Sequence, residues 1–183
     1  DGKRLAFQAV GRVWVMDLPG GAPKRVTTDA FTPFEYAPAW SPDGTRIAIL
    51  VDDVDRFYAY DLAKLAVVPA GGGAPTFLTP GLDRAVQNPS WTADGQALVF
   101  SVEDDRAVWI GRVGAAGGTV EALTTGRRVV TEPSLPSLAS AGGDSGIAVL
   151  ASAPGEPTEV HALENGQLRP LSHQNDKLRD ELQ

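Results

Sequence analysis

The 183-residue sequence has no cysteine, one methionine and only two histidines. Without cysteine there is no disulfide framework, no thiolate zinc site and no thiol nucleophile. His161 and His173 lack a His-x-His or His-x-x-x-His spacing, so no metal or other cofactor is expected. No apolar run approaches the ~20 residues that cross a bilayer as a helix, and no secretory leader pattern is visible. That second absence carries no weight, because the chain opens on Asp1-Gly2 in mid-motif, and the compartment stays open between cytoplasm and periplasm. Basic residues are outnumbered, 16 Lys and Arg against 23 Asp and Glu, for a net charge of −7. Phosphate backbones and anionic lipid surfaces both need clustered cations, so neither nucleic acid nor membrane is an expected partner.

Glycine and proline, 20 and 14, are by contrast plentiful, and they recur in a pattern. An aromatic or apolar approach leads to an Asp-Gly turn and a short apolar strand. A second strand follows, then a Gly-rich turn, then a strand ending in Leu-Thr or similar. The Asp-Gly turn stands at Asp1-Gly2, Asp43-Gly44 and Asp94-Gly95, with a degenerate copy at Gly143-Asp144. Pro42 sets φ at one turn position, the Asp43 side chain caps the turn, and Gly44 takes a positive φ without steric cost. The Gly-rich turns are Gly20-Gly21, Gly71-Gly72-Gly73 and Gly117-Gly118, and the closing strands reach Thr27, Thr79, Thr124 and Ser172. A period of roughly 40–50 residues with four short strands is that of a β-propeller blade. The expected fold is therefore all-β, a partial propeller of about four four-stranded blades. The expected divisions are 1–38, 39–88, 89–133 and 134–172, with an exit segment over 173–183 that leads into a further domain. Trp40 and Trp91 share one register before the turn and are expected to pack between blades.

An open arc of blades leaves two unpaired edges, which natural proteins avoid. Three outcomes fit: an excerpt of a longer protein, self-association that completes the ring, or completion by another chain. The excerpt is favoured, because Asp1 starts inside a motif.

Catalytic patterns are scarce. No Gly-x-Ser-x-Gly elbow occurs. Gly143-Asp144-Ser145-Gly146 resembles the surroundings of a serine nucleophile, but both histidines follow it and the repeat wants a turn there. The acidic runs Asp52-Asp53-Asp55 and Glu103-Asp104-Asp105 lack the alternation of a calcium loop and fall at hairpin tips. Binding is the remaining role, and loops of mixed polarity are where propellers bind. Glu35 and Tyr36 precede the second signature, Arg56 and Tyr58 lie in an insertion after Asp52, and Arg84 precedes the third signature. These five are the candidate substrate-binding residues.

Two resemblances follow from quoted stretches. Tyr36-Ala37-Pro38-Ala39-Trp40-Ser41-Pro42-Asp43-Gly44-Thr45-Arg46-Ile47-Ala48 is similar to the WD-like repeat of TolB-type propellers. The stretches Tyr60-Asp61-Leu62, Leu78-Thr79-Pro80-Gly81-Leu82-Asp83-Arg84 and Pro89-Ser90-Trp91-Thr92-Ala93-Asp94-Gly95 resemble the propeller of bacterial prolyl oligopeptidase-family serine peptidases, of the acylaminoacyl-peptidase or dipeptidyl-peptidase kind. Glu156-Pro157-Thr158-Glu159-Val160 and Leu171-Ser172-His173-Gln174-Asn175-Asp176 resemble that family's last blade and its passage into the hydrolase. The second resemblance implies a non-catalytic propeller that gates an α/β-hydrolase domain and positions peptide substrates. The first implies a binding module for a protein or ligand, with no peptidase attached.

Overall fold

The computed structural model describes residues 2–28, 30–52, 62–134 and 146–182. Fifteen strands and one short helix make up the described elements. The first sheet contains β1 (Arg4–Ala9), β2 (Arg12–Asp17) and β3 (Lys24–Arg25) in that order. The second contains β4 (Glu35–Trp40), β5 (Arg46–Val51), β6 (Lys64–Pro69) and β7 (Thr76–Phe77). The third sheet is eight-stranded and holds two blades, β8 (Ala85–Trp91), β9 (Ala97–Asp104), β10 (Ala107–Gly114) and β11 (Glu121–Ala122) in one, and β12 (Val129–Ser134), β13 (Ile147–Ala153), β14 (Glu156–Glu164) and β15 (Gln167–Pro170) in the other, joined between β10 and β12. Within each blade the strands form an antiparallel meander. Three blades have four strands. The first has three, and β1 matches the second strand of the others.

The Asp-Gly turns close on a shared set of bonds. In the second blade the Ser41 hydroxyl donates to Asp43 Oδ1 at 2.6 Å, and Thr45 N donates to the same oxygen at 3.0 Å. In the third, Thr92 donates to Asp94 Oδ1 at 2.6 Å and Gln96 N donates to it at 2.9 Å. Gly44 and Gly95 both have φ of +67°. The Ser41 hydroxyl, followed by Thr45, holds the Asp43 carboxyl down at about 2, and Thr92 lowers Asp94 in the same way.

The Leu-Thr endings are equally systematic. Thr79 Oγ1 accepts from Leu65 N and Thr124 Oγ1 from Ile110 N, each at 2.9 Å. Ser172 Oγ accepts from Val160 N at 2.9 Å in the last blade. In the last three blades a hydroxyl at the end of the outer strand thus satisfies a backbone donor of the strand beside it.

Between blades, arginine and tryptophan interlock. The Arg4 guanidinium lies 4.6 Å from the centre of the Trp40 ring and donates to Gly44 O at 2.7 Å. One blade on, Arg46 lies 4.8 Å from the Trp91 ring and donates to Gly95 O at 2.9 Å. Trp91 Nε1 in turn donates to Ala39 O at 3.0 Å, so the tryptophans do pack between blades. In the third blade Ala97 holds the arginine's place. There the union with the last blade is by backbone: Val108 N donates to Arg128 O at 3.0 Å, beside a parallel pairing of Val108 with Val129.

Three apolar clusters fill the gaps between successive blades. Val13, Ile47 and Val68 belong to the first, Leu50, Leu98 and Phe100 to the second, and Ile110, Val130 and Val149 to the third.

The divisions at 38/39, 88/89 and 133/134 fall inside β4, β8 and β12, which are the innermost strands of their blades. Those strands contain Pro38, Pro89 and Pro133 and a register shift at the same place, so they read as approach loops rather than strands. The segment after Ser172 was expected as a polar exit, and it holds a single two-turn helix, α1 (Asp176–Leu182).

Candidate functional site

Meander topology sorts the loops onto two faces. One carries the linkers that enter each innermost strand and the hairpins between second and third strands. The other carries the Asp-Gly and Gly-rich turns. Glu35, Tyr36 and Arg84 all fall on or beside the linker face, at the entrances of β4 and β8. The insertion bearing Arg56 and Tyr58 lies outside the described residues.

The structure treats these residues differently. Glu35 is fully buried. Its carboxylate accepts from Val13 N at 3.0 Å, from Thr27 Oγ1 at 2.5 Å and from the Arg25 guanidinium at 3.3 Å. All three donors belong to the first blade, so Glu35 performs between blades the service that Thr79 and Thr124 perform within theirs. A buried carboxylate survives when such donors replace its water. Tyr36 is half-buried and packs on the cluster between the second and third sheets. Arg84 is exposed, with Nε on Asp104 Oδ1 at 2.5 Å, and that bond, followed by the Asp104 charge, raises its pKa further. Glu35 and Arg84 both stand at the entrance of an innermost strand, but by register the counterpart of Glu35 is the buried Val86, and only Arg84 faces solvent.

The innermost strands present other residues that the sequence reading passed over. Gln87 and Asn88 are exposed on β8, at the register shift between Gln87 and Ser90. Asn88 has φ of +51°, and Ala37, its counterpart on β4, has +49°. Each precedes a proline. A bulge of this kind re-aims the side chain beside it. The signal was present in the sequence as a recurring pair of residues, then Pro, then Ala or Ser, at 36–39, 87–90 and 131–134.

A cavity of about 440 Å³ opens beside the last blade, lined by Arg128, His161, His173, Arg179, Glu156 and Asp176 among others. Its charges are mutually engaged: Arg128 with Glu156 at 2.6 Å, and Arg179 with Asp176 at 3.1 Å. Glu159 at its edge accepts from Ser172, the main cause of its lowered pKa, and His161 Nδ1 lies 3.1 Å from Glu159 O. Among the described residues no cluster of acidic or histidine side chains has the form of a metal site. Of the acidic runs, Asp104-Asp105 stands at the β9–β10 hairpin tip, where Asp105 and Arg106 have φ of +41° and +63°. Asp53 and Asp55, and Gly143 to Ser145, lie outside the described residues.

No family model matches the sequence. Over 128 residues, 68% of this chain, it is 32% identical to Tricorn protease homolog 1 of Streptomyces coelicolor, and it spans 11% of that protein's length. Among solved structures, puromycin hydrolase superposes with a TM-score of 0.73 at 17% identity, over 94% of this chain and 29% of that one. The β-propeller domain of the trilobed protease from Pyrococcus furiosus gives 0.65 at 13% identity, over 94% and 49%. TolB from Acinetobacter baumannii gives 0.63 at 18%, over 94% and 42%. The chain thus has the fold shared by propeller domains of prolyl oligopeptidase-family peptidases and by TolB, and spans less than half of each solved chain.

Proposed function

We propose that this chain is the non-catalytic propeller part of a prolyl oligopeptidase-like serine peptidase, which gates access to a hydrolase domain and positions peptide substrates. The observation that carries the reading is the stretch 32% identical to a tricorn protease homologue, on a fold shared with peptidase propellers. The innermost strands supply a physical means. Gln87 and Asn88 offer amide donors and acceptors to an extended peptide. Pro38 and Pro89 lack the N–H that would let such a peptide add as a further strand, so it is contacted without being captured. Arg84 on the same face offers a cation to a peptide carboxylate.

The natural protein, purified from its source without imposed boundaries, tests this. The expected result is a mass far above the 19.2 kDa of these residues, and hydrolysis of aminoacyl chromogenic substrates that a serine-directed inhibitor abolishes. A mass near 19.2 kDa without hydrolysis sinks the peptidase reading. It would favour the second one, a TolB-like module that binds a protein or ligand, supported by the likeness to TolB.

A further inference from the structure

The linker face carries an unusual feature at the β1–β2 hairpin. Its tip is Val10-Gly11, with φ of +52° and +66°. Gly11 suits that conformation, but Val10 is β-branched, the residue type least tolerant of a left-handed backbone. Val10 is also 95% exposed, so no packing within the described residues compensates for the strain. Outliers of this kind concentrate where a contact made elsewhere repays them.

Val10 does not stand alone. Phe34, 39% exposed, lies over Gly11 so closely that a Cβ built there would sit 2.2 Å from its ring. The loop carrying Phe34 is fixed by Arg12, whose guanidinium donates to Gly11 O, Pro33 O and Thr32 O, each at 2.8 Å, and lies 5.9 Å from the Phe34 ring centre. The result is a small rigid apolar knob, held in place before any partner arrives. Preorganisation of this sort lowers the entropic cost of docking. Of the other exposed large apolar side chains, Val129, at the start of β12, and Leu171, after β15, fall on the same face by topology. The outer strand β15 delivers the chain to that face, where α1 follows with Leu178 exposed.

We infer that the Val10–Phe34 knob is an anchor by which the propeller docks onto the hydrolase domain of its own polypeptide. The inference rests on the peptidase reading above. The occupant is an apolar pocket of that domain, because the knob presents methyls and a ring edge, and its one cation is already engaged by three carbonyls.

The full-length natural protein is the object of the test. Val10 is replaced by p-benzoylphenylalanine, and Leu18, exposed on the opposite face, carries the same probe as control. On irradiation the Val10 probe is expected to crosslink to residues of the hydrolase domain, and the Leu18 probe is not. Val10→Asn, which tolerates the left-handed backbone and so preserves the hairpin, is expected to raise proteolytic nicking between the domains several-fold. Crosslinks confined to residues 1–183, crosslinks to a separate protein, or equal yields from both positions would overturn the docking assignment. So would an unchanged nicking rate. Failure of the two proposals is separable. A protein with no inhibitor-reactive serine domain loses both, whereas one with that domain but no Val10 crosslink to it loses only the docking anchor.

Discussion

Arg46 illustrates how single side chains knit this molecule. Its guanidinium covers the Trp91 ring and donates to Gly95 O, while Trp91 Nε1 reaches back to Ala39 O. Arg46→Ala removes a cation–π contact and a hydrogen bond from a half-buried site, and should lower stability by about 1–2 kcal/mol. Denaturant unfolding followed by tryptophan fluorescence measures it, and a loss below the error of the fit would show the stack to be ornamental. Asp43 gives a pH signature. Its carboxyl sits near 2 in the fold against an ordinary 3.8, held down first by Ser41 and then by Thr45. The bonds it makes therefore contribute fully above the unfolded value, and the contribution is lost as pH falls through the folded one. Asp43→Asn should flatten the acid dependence of stability between about pH 4 and 2 relative to the parent chain. Identical acid profiles for the two would contradict that account. Glu35 teaches a different lesson at this scale. As a charged residue between turn signals it reads as a loop ligand. Its burial is decided by Val13, Arg25 and Thr27, which arrive from another blade.

Among elements, the outer strands are the clearest case of a sequence motif with a visible purpose. The two-residue strands β7 and β11 are too short to satisfy their neighbours, and the following threonine completes the work. Thr124→Val keeps the shape but leaves Ile110 N buried and unpaired, a loss of roughly 1–3 kcal/mol. Thr124→Ser should recover most of it. A valine variant as stable as the parent in thermal unfolding would mean that water replaces the hydroxyl. The second, third and outer strands were legible because apolar runs and glycine turns punctuate them. The innermost strands were not. Ala37 and Asn88 with positive φ, each before a proline, break the alternation that identifies a strand. The ladder to β5 and β9 resumes beyond each bulge only because the neighbouring strand is already in place.

For the molecule as a whole, the blades are unequal. Ile47 and Leu98 are fully buried on β5 and β9, whereas Leu5, their counterpart on β1, is 44% exposed. β1 is also the edge of its sheet, so half of its backbone donors have no strand beside them. Hydrogen exchange on the 183-residue chain should therefore show β5 and β9 protected longest and β1 exchanging orders of magnitude faster. Protection of β1 equal to that of β5 would require a strand partner, from a second copy or from elsewhere, to be seated on that edge.

By itself the sequence determined the period, the turns and the tryptophan register, because glycine, proline and aspartate act through their own backbone and nearest neighbours. It also determined what chemistry is missing, since no thiol and no nucleophile elbow are encoded. Tertiary structure alone decided which polar residues face outward. Glu35 and Arg84 are both charged residues at the entrance of an innermost strand, and the presence of Val13, Arg25 and Thr27 around the first makes it a buried tie while the other remains at the surface. It decided equally that Val10 is strained and bare, for a backbone angle and an uncovered side chain exist only once the hairpin is closed and Phe34 has settled over Gly11.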